Sequence, residues 1–250
     1  MTRLHVVMGE ERGSLEAVIQ QLLCLLYRDA NVDAVPLVYT LYPDELESFL
    51  EAARRLAHGG VFTSHVLGVL AAGMCDSIDG RDAQLLGYVD TFAVREGEVE
   101  CTAILPAAIA ECIPRGVSAL VIARFRWEAK LLIAALSKRG YRRIIVALPE
   151  ERVPEAELAG LDKMFSVNIE PITPELIRHY TGVVDLIVDL VGVELRGSTT
   201  KTVSLRIDNP SRHMACILGV WAARALLFIE NVFVESAAAA KMAESLLGTR

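Results

Sequence analysis

Residues 118–149 read SALVIARFRWEAKLLIAALSKRGYRRIIVALP, and the order of patterns in them decides the fold. Residues 119–123 (ALVIA) are a short apolar run, 128–138 (EAKLLIAALSK) carry apolar residues at helical spacing, and 143–148 (RIIVAL) are a second apolar run. Strand, helix and strand in that order make a βαβ unit. In such units the first turn is where a dinucleotide sits, because glycines there let backbone N–H groups approach the pyrophosphate at the helix N-terminus. Here the turn reads Arg124, Phe125, Arg126, Trp127. Four large side chains block that approach, so the unit has a nucleotide-binding scaffold without the nucleotide cradle.

The composition around this unit suits the same class. A chain of 250 residues can bury roughly three quarters of its unfolded surface. With 53% hydrophobic residues and only 6% aromatics, the core is built from Leu, Val, Ile and Ala, as in α/β proteins. The net charge of −7 and the absence of a Lys/Arg block argue against nucleic acid as a partner. Cys24, Cys75, Cys101, Cys112 and Cys216 are odd in number and form no C-x-x-C pair, so buried reduced thiols in a cytoplasmic protein are expected. The N-terminus turns acidic too soon for a signal peptide. The apolar segment 214–230 is interrupted by Arg224 after ten apolar residues, too few to span a bilayer.

On the N-terminal side, residues 4–8 predict a strand, followed by a helix capped by Ser14 with Glu16 in its first turn. Residues 32–40 predict a second strand, placed at an edge by Pro36, and Pro43 opens another helix, ended by Gly59 and Gly60. The apolar run 61–66 leads into a helix ending near Met74, with Asp79 and Asp82 at a further helix start. Residues 88–95 and 98–102 predict a hairpin around Glu96 and Gly97, and 106–112 a helix. After residue 149 come an acidic helix (154–161), a strand (164–169), a helix ending near Tyr180, strands at 183–191 and 202–207, and helices at 214–230 and 237–247. Alternating strands and helices after Gly116 predict a parallel sheet with helices on both faces.

The order of elements and a set of residues resemble the shikimate dehydrogenase family. These are Gly13, Ser14 and Leu15 after the first strand; Asp33, Ala34 and Val35 in the second; Asp44, Glu45 and Leu46 at a helix start; Cys75 and Asp76; and Ala83, Leu86, Gly87, Val89 and Thr91, which look like the family's A-x-x-x-G-A-V-N-T block. The resemblance implies an α/β fold with an N-terminal substrate domain over residues 1–113, a Rossmann-like domain over 114–212, and C-terminal helices, 213–250, returning to the first. It also implies ligand-binding positions at Ser14, Ser64, Asp90, Thr91 and Trp221.

Departures from the family fall on the chemistry. Its N-V-T-x-P-x-K segment, source of the catalytic lysine, corresponds to 62–68 (FTSHVLG), with Gly68 in place of lysine. Its N-T-D segment, source of the partner aspartate, corresponds to Cys101, Thr102, Ala103, Ile104. The asparagine of A-V-N-T becomes Asp90, the glutamine of the last helix becomes Trp221, and the second serine after strand one becomes Glu16. The N-R-T-x-x-R phosphate clamp becomes Ala147, Leu148, Pro149, Glu150, Glu151, Arg152, whose carboxylates would repel a phosphate.

Three sharper readings compete with bland ones. Arg124 and Arg126 could bind an anion at the helix N-terminus, against solvated loop charges. His65 with Asp76, Asp79, Asp82 and Asp90 could ligate a metal or run acid–base chemistry, but the spacing matches no metal motif. Cys101 with His65 could act as nucleophile and base, though no third orienting residue can be named. The expectation is a protein that lacks NADP-dependent catalysis, has no cofactor, and senses a small polar metabolite or binds a protein partner or its own copy, away from membrane and nucleic acid. The alternative is an oxidoreductase acting on shikimate- or quinate-like alcohols, or a non-redox enzyme using His65, Asp90 or Cys101 in the old cleft.

Overall fold

The computed structural model describes residues 3–10, 13–56, 59–148, 160–195, 198–206 and 210–248. The chain divides into two compact units, Met1–Leu105 with Ala215–Arg250, and Pro106–Met214. Both are α/β, and each is built on one sheet.

Unit 1 carries a six-stranded sheet in the order β2-β1-β3-β5-β6-β4. Its strands are β1 (Arg3–Gly9), β2 (Ala34–Thr40), β3 (Gly59–Phe62), β4 (Ser77–Asp79), β5 (Thr91–Arg95) and β6 (Glu98–Thr102). β1, β2 and β3 run parallel, while β5 is antiparallel to both β3 and β6. The β5–β6 hairpin turns at Glu96 and Gly97, both at positive φ (54° and 86°), the backbone that a two-residue turn needs to match strand twist. Pro36 does sit on an edge strand, where its missing N–H interrupts no ladder. Two expectations need correcting here. Gly59 and Gly60 open β3 instead of ending a helix, and β4 was not foreseen, because three residues paired only at an edge give no periodicity.

The helices in the first segment of unit 1 are α1 (Ser14–Asp29), α2 (Leu46–Leu56), α3 (His65–Ala72) and α4 (Arg81–Leu86). α5 (Leu105–Cys112) begins at the unit's end. Unit 2 holds a five-stranded, all-parallel sheet in the order β11-β10-β7-β8-β9: β7 (Ser118–Ile122), β8 (Arg143–Ala147), β9 (Asn168–Ile172), β10 (Leu186–Asp189) and β11 (Lys201–Ser204). Helix α6 (Arg126–Arg139) completes the expected βαβ unit and stops at Gly140, at φ 100°. Strand order reverses beside β7, which makes the carboxyl ends of β7 and β10 a topological switch point. The strand expected at 164–169 is instead α7 (Leu161–Phe165) followed by β9. The short α8 (Ile177–Tyr180) follows. The acidic helix expected at 154–161 and the segment Pro149–Arg152 lie almost entirely outside the described residues.

The chain closes with α9 (Arg212–Glu230) and α10 (Ser236–Leu247). At 19 residues, α9 is longer than its apolar run implied and is the one helix among the described residues long and apolar enough to cross a membrane, yet most of it is buried inside the protein. Burial on nearly every side explains why the run reads as apolar throughout. The cysteine expectation is overturned as well: Cys75 and Cys101 form a disulfide across 26 residues, Cys112 and Cys216 are also disulfide-bonded, and only Cys24 is free.

Where α10 crosses α9, the backbones meet at Gly219. A Cβ there would lie 2.5 Å from the carbonyl carbon of Ala239 and 2.5 Å from Cα of Ala240, so backbone would have to move. Gly219→Ala should therefore destabilise by about 1–3 kcal/mol through overpacking, even though alanine is the better helix former. Denaturant unfolding checks this; an unchanged or raised midpoint would show that the helices do not pack so closely.

Candidate functional site

Asp90 lies between α4 and β5 and is fully buried. Its Oδ1 accepts hydrogen bonds from the Thr91 hydroxyl (2.8 Å), the Ile104 N–H (3.1 Å) and the Trp221 indole N–H (3.1 Å). Its Oδ2 accepts from Ile104 N–H (3.0 Å) and Leu105 N–H (2.8 Å). The carboxylate thus caps the start of α5 from the residue before β5 and anchors Trp221, itself buried on α9. Burial raises the Asp90 carboxyl above the ordinary aspartate range, and the hydrogen bonds from Leu105, Trp221, Ile104 and Thr91 oppose that rise. Asp90, Thr91 and Trp221 are therefore brought together, but facing one another.

Nearby, Ser64 caps α3 by accepting the Leu67 N–H (3.4 Å), and its hydroxyl donates to Glu10. Thr63 donates to Glu16 (2.6 Å) and to the Met8 carbonyl (3.0 Å), and the other oxygen of Glu16 accepts the Gly13 N–H (3.0 Å). Ser14 opens α1, but its side chain lies outside the described residues. His65 packs against the buried Tyr88 with ring centroids 5.4 Å apart, and burial pushes the Tyr88 phenol well above its ordinary value. Gly68, where the lysine would fall, has its backbone pressed against the same tyrosine: a Cβ would lie 2.5 Å from the ring and would also strike the Val89 carbonyl. A lysine cannot be restored there without moving the backbone that leads into β5.

Cys101 is fully buried on β6 with its sulfur bonded to Cys75, so the nucleophile reading is corrected: a disulfide sulfur is no thiolate. Asp76 is paired with Arg54 and accepts the Val99 N–H (2.7 Å), contacts that hold its carboxyl below the usual range. No group of three or more His, Cys, Asp or Glu able to hold a metal ion occurs among the described residues.

In unit 2 an acidic side chain meets the backbone at the turn after β7. The half-turn after β7 offers the Arg124 and Phe125 N–H groups, and both donate to the buried carboxylate of Glu128 (2.7 and 3.1 Å). Arg124 also stands 3.6 Å from that carboxylate. Across the switch point, Asp189 at the end of β10 accepts the N–H groups of Val191 (2.9 Å), Gly192 (2.9 Å) and Val193 (3.0 Å). The Arg124 and Phe125 N–H groups and the Arg124 side chain, part of the expected anion site, are thus already engaged by Glu128.

Sequence reasoning missed Glu128, which sits three residues after the N-cap Phe125, the place of the glutamate in a capping box, without the polar N-cap residue that would have marked it. It also missed a buried polar chain in unit 1, in which His5 joins Tyr27 and Glu230, and Arg3 reaches Glu230 from outside. A groove of ≈ 740 Å³ runs along β2 and α1, lined by Gly13, Ala17, Gln20, Leu37, Val38, Tyr39 and Thr40, and it includes none of the expected site residues.

No protein-family model matches the chain, and no curated protein matches it in sequence. Solved structures do. Shikimate 5-dehydrogenase of Thermus thermophilus, in complex with shikimate, superposes with a TM-score of 0.77 at 18% identity, covering 99% of this chain and 100% of that one. A shikimate 5-dehydrogenase of Mycobacterium fortuitum gives 0.78 at 15% identity (96% and 97% covered). The ligand-free 5-ketofructose reductase of a Gluconobacter species gives 0.74 at 13% (98% and 99%). The chain has the two-domain shikimate dehydrogenase fold.

Replacing Asp90 by Ala would strand the Ile104 and Leu105 N–H groups and the Trp221 indole, costing about 3 kcal/mol or more. The pH dependence has a definite sign. A carboxyl whose pKa is higher in the folded than in the unfolded state holds more proton in the fold, so wild-type stability falls as pH rises through that raised value. Asp90→Ala should lack this decline, and the loss it causes should be largest at the acid end. Denaturant unfolding across pH is the measurement; a pH-independent difference would contradict the assignment.

Proposed function

We propose that this chain is a shikimate-dehydrogenase-like protein without NADP-dependent catalysis, acting as a small-molecule-sensing or protein-interaction module. The observation that carries the reading is the Asp90–Trp221 hydrogen bond. The two positions that the resemblance assigns to substrate contact satisfy each other, in a place from which solvent is excluded. Hydride transfer from an alcohol needs a group to take the hydroxyl proton and a nicotinamide to take the hydride. The backbone around Gly68 leaves no room for the lysine, and the stretch matched to the partner aspartate, Cys101, Thr102, Ala103 and Ile104, holds no carboxylate. Nicotinamide binding is disfavoured because the Arg124 and Phe125 N–H groups in the turn before α6 are held by Glu128 and the turn carries large side chains.

Neither NADP(H) nor NAD(H) should bind with a micromolar dissociation constant in calorimetric or fluorescence titration, and shikimate with NADP should give no reduction. A thermal-shift screen over small polar metabolites tests the sensing role. A ligand at a hundred times its dissociation constant stabilises the fold by about 2.7 kcal/mol without turnover. Measurable hydride transfer from a cyclic polyol would replace this reading by that of an oxidoreductase.

A further inference from the structure

We propose that Cys75 and Cys101 form a reversible thiol–disulfide exchange site, taking a dithiol as reductant, whose oxidised form holds residues 76–87 on the edge of the unit 1 sheet. The placement of the two sulfurs carries this. Cys101 lies on β6 and is fully buried, whereas Cys75, just beyond α3, is partly exposed and is the less buried of the two half-cystines. The bridge lands at the base of β4, a three-residue edge strand whose one partner is β6. Beside the bridge, Asp76 fastens the start of the segment, its N–H donating to the Val99 carbonyl (2.9 Å), its carboxylate accepting the Val99 N–H (2.7 Å) and pairing with Arg54. α4 buries a single residue, Ala83. Beyond α4 the chain passes through Gly87 into Tyr88, Val89 and Asp90, so the bridge fastens the segment that delivers the Asp90 carboxylate.

Exchange balances simply. A dithiol thiolate attacks Cys75 Sγ, the Cys75–Cys101 bond breaks, and Cys101 leaves as a thiolate that takes a proton. The second thiol of the reductant then closes a cyclic disulfide and releases the Cys75 thiol. Two electrons and two protons pass from the dithiol to the protein. The Cys101 thiol remains in the apolar cluster of Val89, Phe92 and Val99, where a small hydrophobic group is at home. The loss falls on the edge segment, whose weak pairing no longer has a covalent tie.

Hydrogen exchange of the whole protein, with and without dithiothreitol, tests this, with the amides of β1 as internal reference. On reduction, exchange over residues 77–87 should quicken about 100-fold and return on reoxidation. Cys75→Ser/Cys101→Ser should show the fast rate in that segment whether or not dithiothreitol is present. Equal rates in oxidised and reduced wild type overturn the proposal, as does alkylation showing both thiols free in protein never exposed to reductant, or failure to reoxidise. If the double variant does not fold, the wild-type comparison alone decides.

Discussion

A carboxylate with no access to water has to find donors within the protein, and that requirement at Asp90 organises unit 1. Asp90 finds them on its neighbour Thr91, on the two N–H groups at the start of α5, and on the indole of α9. A sheet end, a helix N-terminus and the returning C-terminal helix are thereby fixed to one point. The residue types fit for a chemical reason. Ionised aspartate only accepts hydrogen bonds and the indole N–H only donates, so the pair consumes its own polarity. An asparagine and a glutamine, which the resemblance places at these positions, each donate and accept and so keep capacity for a polar ligand. The two substitutions make sense together, where either alone would bury an unmatched polar group.

Unit 2 applies the same device to backbone. At a switch point of a parallel sheet, unpaired N–H groups gather at the carboxyl ends of the strands, and they are what an incoming phosphate uses. Here Glu128 and Asp189 accept them, from positions whose strands are paired directly: Ile122 at the end of β7 lies opposite Asp189 at the end of β10. A phosphate would have to displace a carboxylate and then remain beside it, and like charges in a shielded place repel strongly.

Local rules made much of this legible. The βαβ unit, the Glu96–Gly97 hairpin and the edge placement of β2 each follow from periodicity, turn residues and Pro36, all properties of neighbours in sequence. β4 escaped because Ser77, Ile78 and Asp79 are paired by β6 and carry no pattern of their own. Met164 and Phe165 suggested a strand because five residues are too few to distinguish a helical from a strand period. The Cys75–Cys101 bond was beyond reach: four paired cysteines allow three connectivities, and spacing does not choose among them. Asp90 was recognised as a departure from asparagine, but its four donors come from residues 91, 104, 105 and 221, and only the fold brings them together.

Glu16 and Glu128 show how far one local device extends. Each stands in the first turn of a helix that follows a parallel strand, α1 after β1 and α6 after β7, and each turns its carboxylate back onto N–H groups at the helix start. These are the two helix ends at which such a fold presents its positive dipole to an anion. A serine or glycine there leaves the donors available; a glutamate three residues into the helix occupies them and cancels the local field. Because Thr63 also binds Glu16, the carboxylate is held in position against the neighbouring strand end and cannot swing aside without losing a second partner. On the reading proposed above, the same cause disfavours anionic ligands at both helix starts, and the bonds that do so also contribute to holding the helices in place.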